Sequence, residues 1–405
     1  ISLPLLLLAA VALVTAKLTG GIGLHALGSS VMGGKKYIFL LAGIMGYFAL
    51  IAQPIPLHKA RLYVALFILS ECIRVLGDLI VFLPRSFYFV FLFFPPDAYA
   101  LPDSDAFTRF TGVSAMASAV LYYILARYGM NGIFREGKLW RAMVLVLCFA
   151  LMLAGGFRSM LAASGLLFAI LFFLEGMHRT KLMPILVFGA LLAAVIVVPM
   201  ADRMPYTFQR ALSFLPGVKV NPIVRADAQA SVDWRLNMWQ ALLPYVPEHL
   251  LLGKGYAITS EDFQMMERNS PFLIINPADQ GLALAGDYHN GPLSVILPLG
   301  IWGAIAVLWF LIAGVWALNR NRLYGDPSLQ TINTFLFAAF LTKVITFFLI
   351  VGALTSDIAV FAGYLGLSVS LNGGIRRRAS NPATVPAGLP TPLPVQSRWQ
   401  PAFQK

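Results

Sequence analysis

The stretch LMPILVFGALLAAVIVVPM, which covers residues 182–200, decides the fold class of this chain. Its nineteen residues contain no charged side chain. A helix needs about 20 predominantly apolar residues to cross a bilayer core about 30 Å thick. The stretch therefore predicts a membrane-spanning helix rather than part of a soluble domain.

The composition of the whole chain supports the same fold class. Hydrophobic residues make up 59% of the sequence and charged residues 12%, whereas soluble domains contain about 25% charged residues. The apolar runs predict ten spans, at 1–16, 37–52, 62–83, 111–128, 139–155, 158–175, 182–200, 301–318, 331–352 and 356–371. The first residue is Ile rather than Met, which leaves room for preceding residues. We therefore expect an all-α, polytopic transmembrane helical bundle of about 10–12 spans.

The basic residues indicate the orientation of the spans. The formal net charge is +12, but Lys and Arg gather at the ends of apolar runs, so the chain does not have the basic stripe of a nucleic-acid-binding protein. The positive-inside rule assigns most of these ends to the cytoplasm. Lys35 and Lys36 fall on the outer side under this assignment. The basic residues on the predicted cytoplasmic side are Arg127, Arg135, Lys138, Arg141, Arg179, Lys181, Arg320, Arg322 and 376–378.

These patterns predict four regions. Residues 1–200 form an N-terminal transmembrane bundle, and residues 201–300 form a large periplasmic loop with surface helices. Residues 301–371 form C-terminal transmembrane helices. Residues 372–405 form a basic, Pro-rich cytoplasmic tail whose composition is typical of disorder.

Two arginines stand at the predicted outer boundary of the membrane. Arg158 opens a span directly after the turn at Gly155 and Gly156, and Arg235 lies on an amphipathic segment rich in tryptophan. A planar guanidinium group matches phosphate oxygens in a bidentate fashion. The alternatives are a snorkelling Arg158 and an Arg235 paired with the neighbouring Asp233.

His289 is the candidate base on the same side. It precedes PLSVILPLGIWGA, in which Pro292 and Pro298 predict a shallow surface helix before the true span begins near Ile301. A neutral imidazole accepts a proton near physiological pH, although a hydrogen-bonded structural histidine is the alternative. Phosphate clamps and one base at a membrane surface suit a lipid-linked diphosphate donor.

Motifs for other chemistries are absent from the sequence. It contains no P-loop, HExxH, CxxC or GxSxG motif, and its five histidines lack metal-ligand spacing. The adjacent carboxylates of Glu261 and Asp262 are usually just solvated in such a loop, although they are a conceivable divalent-cation site. We therefore expect no cofactor and no metal.

Four segments, in this order, carry a resemblance to a known family. They are AFTRFTGVSAMASAVL (106–121), FRSMLAASG (157–165), DWRLNMWQALLPYVPEHLLLGKGY (233–256) and DYHNGPLSVILPLGIWGA (287–304). On a polytopic protein, this order resembles the O-antigen ligase/polymerase superfamily over roughly residues 105–320. Arg158 is followed by Ser159 and Met160, where the family often has Gly and a small residue.

The resemblance implies a membrane-embedded glycosyltransferase of the GT-C type in the bacterial inner membrane, with its active site facing the periplasm. It implies that a glycan moves from undecaprenyl diphosphate to an acceptor hydroxyl, such as one on lipid A-core, with inversion and without a metal. Arg158 and Arg235 would hold the diphosphate, and His289 would deprotonate or orient the acceptor. The expected substrate-binding residues are Arg109, Arg210, Arg225, Asn290, Trp239 and Tyr288.

Two alternative functions remain open at this stage. An O-antigen or exopolysaccharide polymerase would use the same donor and differ in its acceptor, a growing glycan; protein O-glycosylation is a further variant. A small-anion transporter is a different class. Its support is the trio Glu71, Arg74 and Asp78, which lie on one face of a continuous helix, where such charges form either an ion path or a structural pair.

Overall fold

The computed structural model describes residues 1–19, 34–80, 82–93, 98–99, 109–256 and 288–377. Helices dominate these residues, and two-residue antiparallel strands, β1 (Ala98–Tyr99) and β2 (Arg109–Phe110), pair before the fifth helix. The α-helices are α1 (Ser2–Leu18), α2 (Lys35–Ile51), α3 (Ala60–Leu69), α4 (Val75–Ile80), α5 (Thr111–Phe134), α6 (Leu139–Met152), α7 (Arg158–Leu174), α8 (Leu182–Met200), α9 (Tyr206–Leu212), α10 (Pro222–Leu242), α11 (Val246–His249), α12 (Gly291–Tyr324), α13 (Gln330–Leu349) and α14 (Leu354–Leu371).

The all-α membrane architecture predicted from composition is confirmed. Within the described residues, four segments are long and apolar enough to cross a membrane: Leu182–Arg203, Gly291–Tyr324, Pro327–Leu349 and Leu354–Leu371. Three shorter apolar helical segments, Ser2–Leu18, Leu139–Gly155 and Arg158–Leu174, accompany them. The apolar stretch at 182–200 forms α8, which buries none of its residues against the rest of the described chain. Its apolar side chains are therefore available for contact with lipid.

The predicted span at 62–83 is broken in the structure. A 3-10 turn at Ser70–Arg74 separates α3 from α4. Within this turn, Glu71 and Arg74 form an exposed ion pair at 3.6 Å. Asp78 is fully buried, and its Oδ2 accepts a hydrogen bond from Val113 N (2.8 Å) in the first turn of α5. The contacts described for these charges, an ion pair and a helix cap, favour the structural alternative over an ion path.

The long helices pack into one bundle whose two ends differ in chemistry. α2 packs along α14, α1 against α12, and α13 against α5, α7 and α12. One end, which we call the basic end, is where α12 and α14 finish and where Arg320 Nε donates to Arg376 O (3.0 Å). There the buried amides of Asn333 and Asn372 exchange hydrogen bonds of 3.1 and 2.8 Å. Such a closed polar network fixes these helix ends against each other.

At the opposite end, which we call the His289 end, a loop forms hydrogen bonds to helix α12 around a break in that helix. Gly300 has a φ of 65°, so α12 bends there, one residue before the predicted start of the span at Ile301. The loop after α11 replaces the helical hydrogen bonds lost at the bend. Lys254 N donates to Leu297 O (2.8 Å), Gly255 N donates to Pro298 O (3.0 Å), and Ile301 N donates to Leu250 O (2.6 Å). Satisfying these backbone groups lets irregular chain persist at the membrane boundary.

Candidate active site

Helix α10 organises the candidate site. The Asn221 side chain accepts a hydrogen bond from Ile223 N (2.9 Å), and Pro222 occupies the first helical position, so both residues favour a helix start here. The buried residues of α10 are Val224, Ala228, Met238 and Leu242, which recur at helical spacing. One face of α10 therefore packs on the bundle over its whole length, and the candidate residues lie along that face.

An arginine–carboxylate cluster lies at the first half of α10. Asp227 Oδ2 accepts hydrogen bonds from Arg210 Nε and from Arg109 Nη2, the latter at 3.1 Å. Arg210 is 5% exposed, and it also donates from Nη1 to Gly156 O (2.8 Å) and from Nη2 to Ser231 Oγ (3.2 Å). These contacts fix the Arg210 guanidinium group in one orientation.

Arg158 joins this cluster from α7. Gly156 adopts a φ of 66°, which turns the chain sharply and aims the start of α7 at α10. Arg158 Nη2 donates to Ala228 O (2.9 Å), and its charge interacts with those of Arg210 and Asp227. Arg109 and Arg210 thus contact the carboxylate of Asp227, and Arg158 interacts with it through its charge. Among the described residues, these three guanidinium groups and one carboxylate leave a formal excess of two positive charges. Such an excess favours a multiply charged anion.

His289 lies against the second half of α10. Its ring packs edge-on against Trp234, with ring centroids 5.8 Å apart. Its φ of 48° lies in the left-handed region, where non-glycine residues are uncommon and histidine is enriched. Backbone strain of this kind persists where the surroundings impose it, and it gathers at functional sites.

The residues around His289 impose this conformation. Trp239 Nε1 donates to Tyr288 O (2.7 Å), and Asn290 Oδ1 accepts from Leu293 N (3.1 Å) as the cap of α12. Tyr288 is 1% exposed and packs with Met238 and with the first turns of α12. The sequence predicts substrate contacts for Trp239, Tyr288 and Asn290, and these stay predictions; the structure shows how the three hold His289.

Arg235 lies on α10, the helix that Arg158 and His289 both contact. It is half-buried, next to Trp234 in sequence and seven residues beyond Ala228, which corresponds to about 10 Å along a helix axis. Arg158, Arg235 and His289 are therefore brought together along α10 at one end of the bundle. Asp233, the predicted alternative partner of Arg235, accepts a hydrogen bond from Gln229 (3.3 Å).

Arg225 is set apart from this group. Its side chain is exposed, and it stands two residues before Asp227. At about 100° per residue, this spacing puts it on nearly the opposite face of α10 from the cluster.

Asp227 is the site residue that the sequence did not single out. It looks like one acid among many in a polar loop, and its partners lie 118 and 17 residues away in sequence. The available signal was its position beside the buried stripe of α10, where an acid needs a positive partner.

The sequence predicts that the protein has no metal site. Among the described residues, no group of three or more His, Cys, Asp and Glu side chains is arranged to hold a metal ion. Glu261 and Asp262 lie outside the described residues, so the expected absence of a metal stays a prediction.

Asp227 gives a direct test of the cluster. We expect Asp227→Asn to lower the stability of the protein by about 1–3 kcal/mol, because the arginines lose their shared counter-charge. Added inorganic diphosphate should restore much of the loss in a thermal unfolding assay, whereas it should stabilise the wild type less. A matched Asp233→Asn variant on the same helix should melt like the wild type. A diphosphate-independent melting temperature in Asp227→Asn would contradict an anion site here.

A comparison with known families finds a match over the region that contains most of these residues. Residues 142–308 match a family model described as O-antigen ligase. The matched segment runs from α6 into α12, so it includes Arg158, Arg210, Asp227, Arg235 and His289. Arg109 precedes it. A search of curated proteins gave no match.

Proposed function

Because residues 142–308 match a family model described as O-antigen ligase, we propose that this membrane protein is a glycosyltransferase of the GT-C type and a member of the O-antigen ligase/polymerase superfamily. It moves a glycan from undecaprenyl diphosphate to an acceptor hydroxyl, such as one on lipid A-core, at the periplasmic face of the bacterial inner membrane. The observation that carries this proposal is the excess of positive charge around Asp227 on the helix that also packs against His289.

In the proposed reaction, the acceptor oxygen attacks the anomeric carbon of the donor sugar. The new C–O bond forms as the bond to the diphosphate oxygen breaks, so a single displacement inverts the sugar. His289 takes the proton of the acceptor hydroxyl. Arg158 and Arg235 stabilise the charge that develops on the leaving diphosphate. Their guanidinium groups supply the positive charge, which makes a divalent cation unnecessary in this proposal.

The other candidate residues have supporting parts in the proposal. Arg109 and Arg210 contact Asp227, so they add positive charge and hold one wall of the diphosphate site. Trp239, Tyr288 and Asn290 keep the strained backbone at His289 in place and border the acceptor. Arg225 is exposed, so it meets the donor glycan outside the cluster or plays no part in binding.

The acceptor decides between two closely related activities. A polymerase would use the same donor and the same charges, and would differ only in accepting a growing glycan. A lipid A-core acceptor is our proposal, and the polymerase is its main competitor.

The purified full chain with an undecaprenyl-diphosphate glycan tests the proposal. We expect one glycan to be joined to lipid A-core, with full activity in excess chelator and with undecaprenyl diphosphate released. Glycan ladders formed without lipid A-core would identify a polymerase. A strict metal requirement would redirect the mechanism to Glu261 and Asp262. If anion uptake into liposomes occurred without any transfer, the transporter alternative would replace the enzyme.

A further inference from the structure

A small cavity lies at the basic end of the bundle, at the opposite end from the candidate active site. Its volume is about 90 Å³, and residues of α3, of α5 and of the start of α13 line it. α3 begins at the basic end because the connection before it is bonded to the last turn of α14. Ser370 Oγ donates to Gln53 O (2.6 Å), and Ile55 N donates to Ser370 O (3.0 Å). The positive-inside rule assigns this end to the cytoplasm.

Two arginines from different helices line this cavity. Arg61 comes from the first turn of α3 and Arg127 from α5, the helix on which α3 and α13 both pack. Ser328, in the turn before α13, and Thr331, in its first turn, add hydroxyl groups. None of the described lining residues is acidic. Two like charges that repel each other therefore share one cavity without a carboxylate in its wall.

The contacts of the two arginines do not balance their charges. Within the part of the chain that the structure describes, Arg61 forms no hydrogen bond or ion pair. Arg127 Nε donates to the hydroxyl of Tyr128 (3.4 Å), which is a neutral group. Asp326 accepts a hydrogen bond from Ser328 Oγ (2.6 Å), but it does not line the cavity, and its carboxylate also interacts with the charge of Arg376.

Other arginines of the basic end are held by the protein itself. Arg141 Nη1 pairs with Glu136 at 2.6 Å, and Arg322 Nη2 donates to Asn319 Oδ1 (2.9 Å). Arg61 differs from them because it contributes a free guanidinium group to a cavity that Arg127 also lines. Such an arrangement favours an anion that comes from outside the chain.

We propose that this cavity binds one phosphate group, which is carried either by the headgroup of an anionic phospholipid or by free phosphate. A guanidinium group matches phosphate oxygens in a bidentate fashion. Basic pockets between transmembrane helices on the cytoplasmic side bind phospholipid headgroups in other proteins. The volume of about 90 Å³ equals that of about three water molecules at about 30 Å³ each, which suits one phosphate group and is too small for a sugar. The bound group would tie α3 to α5 and α13.

Arg61→Gln and Arg127→Gln test the cavity in the purified full chain in detergent. The probes are dioctanoyl phosphatidylglycerol and inorganic phosphate, with affinities taken from the rise in melting temperature and, for the lipid, from native mass spectrometry. We expect each variant to bind the effective probe about tenfold more weakly than the wild type. Arg135→Gln is the matched control, because Arg135 is an exposed arginine of the same end that bonds to Asn131 (3.2 Å) and does not line the cavity. Without a probe, Arg61→Gln should melt like the wild type.

The two probes distinguish the sources of the phosphate group. Arginine-dependent binding of phosphatidylglycerol alone identifies a lipid headgroup, and arginine-dependent binding of inorganic phosphate identifies the free anion; either result supports the site.

Three outcomes would overturn this assignment. One is that both probes bind Arg61→Gln and Arg127→Gln as tightly as the wild type. A second is an equal loss in Arg135→Gln, which would make binding a property of the overall positive charge. The third is equally tight binding of dioctanoyl phosphatidylcholine, which would mean that the lipid chains rather than an anionic headgroup are bound. Glycan transfer is not measured here, so the result is independent of the proposed function.

Discussion

His289→Ala is expected to reduce glycan transfer by about 10²–10⁴-fold, the usual contribution of a general base. The ring packs edge-on against Trp234, next to Arg235 on α10, so removing the ring takes away the proton acceptor without touching the arginine cluster. Transfer should be measured with purified protein, the lipid-linked donor and lipid A-core. Protein yield and melting temperature should be followed in parallel.

The backbone at His289 requires a second variant. With a φ of 48°, an alanine at this position is strained. A loss of transfer in His289→Ala alone would therefore not distinguish a missing proton acceptor from a displaced loop. Asparagine adopts left-handed backbone more readily. We expect His289→Asn to melt like the wild type and still lose transfer, whereas His249→Ala, which lies at the same end of the bundle, keeps it. Wild-type transfer by His289→Asn would reject the general-base role.

The sequence was sufficient for features that depend on local physics. A span is set by the length of an apolar run, so the predicted 158–175 and 356–371 agree closely with α7 (Arg158–Leu174) and α14 (Leu354–Leu371). The break at Gly300 follows in the same way from the prolines before it. The segment at 62–83 failed because its bend serves the remote start of α5, where Asp78 caps Val113.

The site depends on contacts that sequence patterns do not encode. The arginines at the outer boundary were visible in the sequence, but their shared counter-charge was not. Asp227 meets Arg109 only after the five intervening helices, α5 to α9, have packed. The surface groove between α2 and α14 was even harder to predict from the sequence. Gly46 and Gly363 look like ordinary small residues in two separate spans until the parallel packing of α2 and α14 brings them to one channel.

Arg158→Lys should reduce transfer by about 10²–10³-fold, the typical loss when one group that stabilises transition-state charge is removed. Lysine keeps the charge and can still reach a carbonyl such as Ala228 O, which Arg158 Nη2 contacts at 2.9 Å. It lacks the planar fork that grips two phosphate oxygens at once. The loss should therefore appear mainly in kcat, because the leaving diphosphate gains charge in the transition state.

A control at the same boundary separates this role from simple snorkelling. Arg203 is exposed at the His289 end, just after α8, and Arg203→Lys should leave both kcat and melting temperature unchanged. Arg158→Lys should also melt near the wild type, since one hydrogen bond to Ala228 survives. If Arg158→Lys transferred glycan at the wild-type rate, the charge alone would suffice at that position. Arg158 would then be a headgroup anchor, and the diphosphate clamp would have to be built from Arg109, Arg210 and Arg235 without it.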